Sequence, residues 1–253
     1  MKQAIVCILV FLTIVLCVST LFAVLVPLVT GHADGMTSAW TLVCAATYSV
    51  FTVLFFWRAG WATMSRKYLD RHQWGVLFWA STAAIGVVLP SIWIQEMMPP
   101  LPNVVENELG ALMMTPGSYF VLAIIVPLSE ELVFRGAVLR SLLAWHGERA
   151  WLMIALSALF FALVHMNPAQ MPHAFVMGLL LGWMYWRTGS IVPSFVFHLV
   201  NNTAAFVLYR AYPDPDICLA DIFSGSQTAV VLAVIFSLLI LLPSLFELNK
   251  RLD

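Results

Sequence analysis

Eight apolar stretches, at 4–29, 39–57, 74–95, 118–143, 150–166, 172–187, 190–209 and 227–246, alternate along the chain with polar connections. An α-helix needs roughly 20 apolar residues to cross the hydrocarbon layer of a bilayer. Backbone surrounded by lipid must satisfy its own hydrogen bonds, so these stretches predict helices rather than strands. The sixth stretch is short and the fourth is interrupted by charge. The first follows a lone Lys2 and outlasts the roughly 7–15 residues of a secretory h-region, which predicts a retained first helix. The expected fold is an all-α, polytopic transmembrane helix bundle of about eight spans, with residues 1–253 forming a single integral membrane domain. There is no internal repeat and no linker between domains.

Charge gives the bundle a direction. Lys2, Arg58, Arg66, Lys67, Arg71, Arg140, Arg149, Arg187, Lys250 and Arg251 all fall at alternate ends of the eight stretches. Arg210 alone falls at the opposite ends, and Arg135 lies inside the fourth stretch. Basic residues gather on the cytoplasmic side of membrane proteins, so both termini are expected in the cytoplasm. The connection 96–117, with Pro99, Pro100, Pro102, Glu106 and Glu108, is then external. Its apolar residues (Met97, Met98, Leu101, Leu112 and Met113) suit a segment that lies along the membrane or covers a site, as well as a plain connector.

Composition narrows the class. Of 253 residues, 62% are hydrophobic and only 10% charged, too little polar surface for a water-soluble domain. A net charge of −1 supplies no basic field for nucleic acid. The lipid bilayer is the partner this composition requires. Cys7, Cys17, Cys44 and Cys218 form no CxxC pair, which argues against a disulfide framework or a cysteine metal site.

Against that apolar background a few polar residues stand out. The fourth stretch, SYFVLAIIVPLSEELVFRGAVLRSLL, places Glu130, Glu131 and Arg135 in the middle of a membrane helix. Ionisable groups there cost about 2.5–3.5 kcal/mol each on insertion scales and usually face partners inside the bundle. Glu131 and Arg135, spaced i,i+4, can pair, either to fix packing or to support a site. Glu130 is turned about 100° away and has no partner on its own helix, which suits a general base. Pro127 removes a backbone hydrogen bond one turn earlier.

The fifth stretch ends FFALVHMNP, with Phe161 and His165 one turn apart, and the seventh carries His198 and Asn202 at i,i+4. With a rise of 1.5 Å per residue, Glu130 lies about 20 Å and His165 about 22 Å from the basic ends of their helices. His198 and Asn202 lie about 12 and 18 Å from theirs, so all four share a middle band. Gly178 and Gly182, and Ala158 with Ala162, are small-residue pairs that let helices approach closely. His173 reads as a boundary residue at the external mouth of the sixth stretch.

Peptide hydrolysis needs a base for water and donors for the developing oxyanion. Glu130 can supply the base; His165, His198 and Asn202 can supply donors. Glu130, His165 and His198 also compose a set able to hold a divalent metal such as zinc, so metal-free and metal-assisted hydrolysis both fit the residues. HExxH and GxSG are missing, and no aspartate falls within any stretch.

Glu130-Glu131…Arg135, Phe161…His165 and His198…Asn202, in that order, resemble the EExxxR, FxxxH and HxxxN pattern of the CAAX protease and bacteriocin-processing (CPBP, or Abi) family. The resemblance covers a catalytic core at 118–209. It implies a glutamate-dependent intramembrane endopeptidase acting on a membrane-associated protein or peptide. Glu130 would be the base, His165 and His198 would position water or a metal, and Asn202 would stabilise the oxyanion. Glu131 and Arg135, and Phe161 with its place in the motif, would be supporting residues. Short loops fit a bacterial inner-membrane protein, and prenylated substrates are not carried over. Two other classes also place such residues in a membrane: an ion-coupled transporter, and a non-catalytic immunity or scaffold protein. A transporter would more often show repeats and broken helices in both halves, whereas here the chemistry lies in one block.

Overall fold

The structure, a computed structural model, describes residues 1–31, 36–63, 73–214 and 217–252. Arg66, Lys67 and Arg71 of the charge pattern lie outside the described residues. Those residues form α1 (Lys2–Thr30), α2 (Ser38–Arg58), α3 (Trp74–Met97), α4 (Glu106–Met114), α5 (120–146), α6 (Ala150–Leu163), α7 (Met171–Thr188), α8 (Ile191–Ala211), α9 (Leu219–Ile222) and α10 (Gln227–Arg251). No β-strand occurs among them.

Five helices (α1, α2, α3, α8 and α10) are long and apolar enough to cross a membrane by themselves. The other three long helices, α5, α6 and α7, pack against one another. α5 carries the ionisable groups, α7 mixes polar residues into its first turn, and α6 has only 14 residues. At 1.5 Å per residue α6 is about 21 Å long, short of a ~30 Å hydrocarbon layer. The turn after it is irregular backbone, which within a bilayer is tolerated only where protein covers it. The cover comes from the segment after α3. Ala169 N–H donates to Pro102 O at 3.2 Å, Val104 N–H to Asn167 Oδ1 at 3.1 Å, and Asn167 Nδ2 to Asn103 Oδ1 at 2.8 Å. The connection 96–117 is thus partly helical and packs over that turn.

Two ends of the bundle are distinct. At one, Arg140 Nη2 donates to Trp61 O at 2.9 Å and Arg187 Nη1 to Asn249 Oδ1 at 2.8 Å. At the other, the Leu219 N–H donates to Glu96 Oε1 at 2.7 Å, and Arg210 reaches Met113 O at 3.5 Å.

Small residues set the closest helix contacts. A Cβ at Gly86 would lie 2.7 Å from the Leu241 backbone nitrogen, so α3 and α10 touch there backbone to backbone. One at Gly178 would lie 2.8 Å from Ala158 Cβ, which fixes α7 against α6. Without a hydrophobic driving force between helices in lipid, such close packing is what holds a membrane bundle together.

Candidate active site

α5 is not a regular α-helix. Two wide, π-type turns, Phe120–Ile125 and Phe134–Leu139, bracket the regular segment Val126–Val133 that carries Glu130 and Glu131. Such turns are rare and concentrate at functional sites. In the first, the Val126 N–H bonds to Val121 O, while Pro127 has no N–H to give. The Leu122 carbonyl is left needing a donor, and Asn202 Nδ2 of α8 supplies it at 3.2 Å.

Glu131 and Arg135 pair as their spacing predicts, Nη1 to Oε1 at 2.9 Å, and both are completely buried. Arg135 also approaches Gly178 O at 3.5 Å, and its Cζ stands 4.4 Å from the centre of the Phe161 ring. A guanidinium over an aromatic face gains about 2 kcal/mol or more when desolvated. The same Phe161 ring meets His165 and His198 edge to face, with centroids 4.9 and 6.0 Å apart. Phe161 is therefore the platform on which the cation and both imidazoles rest.

His198 links the two glutamates, a contact that local spacing could not reveal. Its Nδ1 lies 3.0 Å from Glu131 Oε1, and its Nε2 faces Glu130 Oε2 at 3.7 Å. Glu131 Oε1 already accepts from Arg135, and an ionised carboxylate only accepts, so His198 Nδ1 carries the proton. The Nε2 of a neutral ring is then a lone pair, and it becomes a donor only when the ring takes a second proton. The separation of 3.7 Å is too long for a direct hydrogen bond and suits a bridging water.

His165 departs from the sequence expectation of a helical position. α6 ends at Leu163, and Met166, with φ 50°, turns the chain left-handed. His165 sits in that turn, where its Nδ1 lies 2.8 Å from Phe161 O. A carbonyl only accepts, so Nδ1 again holds the proton and the neutral Nε2 can accept.

Glu130, His165, His198 and Asn202 all line one cavity of about 430 Å³. Glu131, Arg135 and Phe134 lie behind its wall. The cavity also takes in Tyr48 of α2 and His173 and Asn201, which the sequence reading did not place there. His173, read as a boundary residue, faces inward within hydrogen-bonding reach of the Asn201 side chain. The available signal was the helical stripe 173, 177, 181, whose last two members are buried. Tyr48 carries no local signal.

Among the described residues, no three His, Cys, Asp or Glu side chains are grouped closely enough to hold a metal ion.

Residues 113–204 match the family described as type II CAAX prenyl endopeptidase Rce1-like. No curated protein matched the chain, and no solved structure did. The matched segment starts in α4 and ends in α8, and it contains every residue of the three motifs. α1, α2, α3 and α10 lie outside it. Over residues 113–204 the chain is therefore similar to the CPBP family of CAAX-protease-like membrane proteins.

Proposed function

We propose that the protein is an intramembrane endopeptidase that hydrolyses a peptide bond in a membrane-associated protein or peptide through a water activated by Glu130. The observation that carries this reading is the division of labour between adjacent glutamates. Glu131 is fully buried and committed to Arg135 and His198, whereas Glu130 faces the cavity with, among the described residues, no partner closer than the His198 Nε2 at 3.7 Å.

The steps follow from the donors and acceptors. A water in the cavity donates one hydrogen to Glu130 and the other to the Nε2 acceptor of His165. Glu130 takes the proton as the water oxygen attacks the carbonyl carbon. The carbonyl oxygen becomes an oxyanion, stabilised by the second Asn202 N–H and by His198 Nε2–H when that ring is doubly protonated. Glu130 then returns its proton to the amide nitrogen, the C–N bond breaks, and acid and amine leave. Glu131 acts through His198, holding its Nδ1 so that Nε2 points at the reacting centre.

In this proposal the protein sits in a bacterial inner membrane with both termini in the cytoplasm, as the placement of its basic residues favours. Prenylated substrates are not included. The test compares membrane proteomes of cells carrying the wild-type protein with cells carrying Glu130→Gln. Peptides shortened only in the presence of wild-type protein are expected. Solute flux into liposomes that survives Glu130→Gln would identify a transporter instead, and a phenotype indifferent to the change would identify a scaffold.

A further inference from the structure

The active-site cavity does not end at its polar groups. A second cavity, of about 450 Å³, lies between the outer ends of α3 and α8 and beneath α4. Gln170, His173, Asn201 and Ala205 line both, so the two spaces adjoin at a neck with polar groups from both the α7 and the α8 side. Leu109 and Met113 of α4 border both spaces as well and roof the junction. The outer space opens at the end of the bundle away from Lys2, Arg58, Arg140, Arg149, Arg187, Lys250 and Arg251. Among the described residues, its wall contains Glu96, Glu106 and Asp214 and no lysine or arginine, with Arg210 standing outside it against the Met113 carbonyl.

Resting on the protease reading, we propose that this vestibule is the substrate's entry. It admits an extended peptide bearing basic side chains, presented from the extracytoplasmic face, and passes it through the neck towards Glu130. Three features converge on that occupant. The vestibule adjoins the catalytic cavity and shares six wall residues with it. Its amide and imidazole groups at the neck can hydrogen-bond an extended backbone. Its carboxylates attract cations, and electrostatic complementarity sets specificity and encounter more than bulk affinity. Glu96 and Glu106 each already accept one hydrogen bond, from the Leu219 N–H and from Asn103, which holds their carboxylates at the wall with acceptor capacity to spare.

The test reads access and charge preference without needing turnover. Ala205 is exposed to the cavity, so Ala205→Cys adds a thiol at the neck. The background carries Cys17→Ala and Cys218→Ser, leaving the buried Cys7 and Cys44. A membrane-impermeant maleimide should label the new thiol at least tenfold faster in intact cells than in inverted vesicles. A decapeptide of alternating Lys and Leu should slow labelling at least fivefold more than its citrulline–Leu counterpart. The double change Glu96→Gln and Glu106→Gln should erase that difference. Labelling only from the cytoplasmic face, or equal protection by the two peptides, would overturn the inference. Neither result depends on Glu130 chemistry, so the protease reading is judged separately by the Glu130→Gln proteome comparison.

Discussion

Glu131→Gln is the most discriminating single substitution, because its neighbours define what is lost. Oε1 accepts from both Arg135 at 2.9 Å and His198 at 3.0 Å, while Oε2 is buried with no partner. In the Glu131→Gln variant the amide oxygen can keep both bonds, but the counter-charge to a fully buried guanidinium is gone. The new amide nitrogen occupies the site of the buried, unpaired Oε2 and must turn to the Ser194 hydroxyl or leave its hydrogens unused. Removing one member of a buried ion pair costs about 3–5 kcal/mol, and an orphaned buried donor a further ~1–3 kcal/mol. The Phe161 face and Gly178 O retain part of the solvation of Arg135, so the net loss should fall at about 3–5 kcal/mol. With about 2–4 °C of melting temperature per kcal/mol for a chain of this size, a fall of at least ~6 °C is expected in detergent. Glu130→Gln, whose carboxylate faces the cavity, should stay within ~2 °C of wild type, the shift of a substitution costing under about 0.5 kcal/mol. Thermal unfolding followed by circular dichroism, with a peptide-cleavage assay on the same preparations, separates the two. Equal melting temperatures for Glu131→Gln and wild type would refute the assignment of Glu131 as the anchor of the buried network.

Asn202→Ala should slow turnover by about 10²–10³-fold through loss of an oxyanion donor. It should also lower stability by about 1–3 kcal/mol because the Leu122 carbonyl loses its partner; cleavage kinetics and melting read the two effects independently. Gly178→Val should drive α7 away from Ala158 at a cost of about 1–3 kcal/mol, and adding Ala158→Gly should recover at least half of the melting shift. Purified protein should retain activity after dialysis against a chelator, and stoichiometric zinc lost together with activity in His165→Ala would reverse the metal-free mechanism. Reporter fusions after Thr37 and after Asn103 should read external and one after Arg66 internal; a cytoplasmic signal at Asn103 would overturn the orientation.

The features legible in the sequence are those set within one or two turns of a helix. Apolar runs mark the long helices, and the i,i+4 spacing of Glu131 and Arg135 predicts their ion pair because both ends ride on the same face. Common depth brings Glu130, His165, His198 and Asn202 to one cavity. What local spacing does not show depends on rotation and on contacts distant in sequence. His198 reaching Glu131 spans 67 positions and requires α8 to face α5 at one particular angle. His165 leaves its helix because Leu163 is the last residue of α6, although the apolar run continues to Met166. The helix Glu106–Met114 hides in a connection rich in proline, where composition favours irregular chain. The wide turns of α5 leave no mark except Pro127, which accounts for one of them.

Those two wide turns act as a vernier on the helix. Each inserts an extra residue per turn, and one residue of an α-helix corresponds to about 100° of rotation. Val126–Val133 can therefore be dialled independently of the segments before and after it, the first packed against α2 and α8 and the second against α1, α6 and α7. The outer segments keep their apolar sides to their neighbours while the central one aims two adjacent carboxylates in different directions, one into the wall and one into the cavity. A single-residue deletion in 120–125 would give a more regular and intrinsically better helix. It would also swing the beginning of α5 by roughly a quarter turn relative to the glutamates and carry the Leu122 carbonyl away from Asn202. For this fold, the irregular helix is the condition under which a bundle built for lipid can hold a reactive carboxylate at its centre.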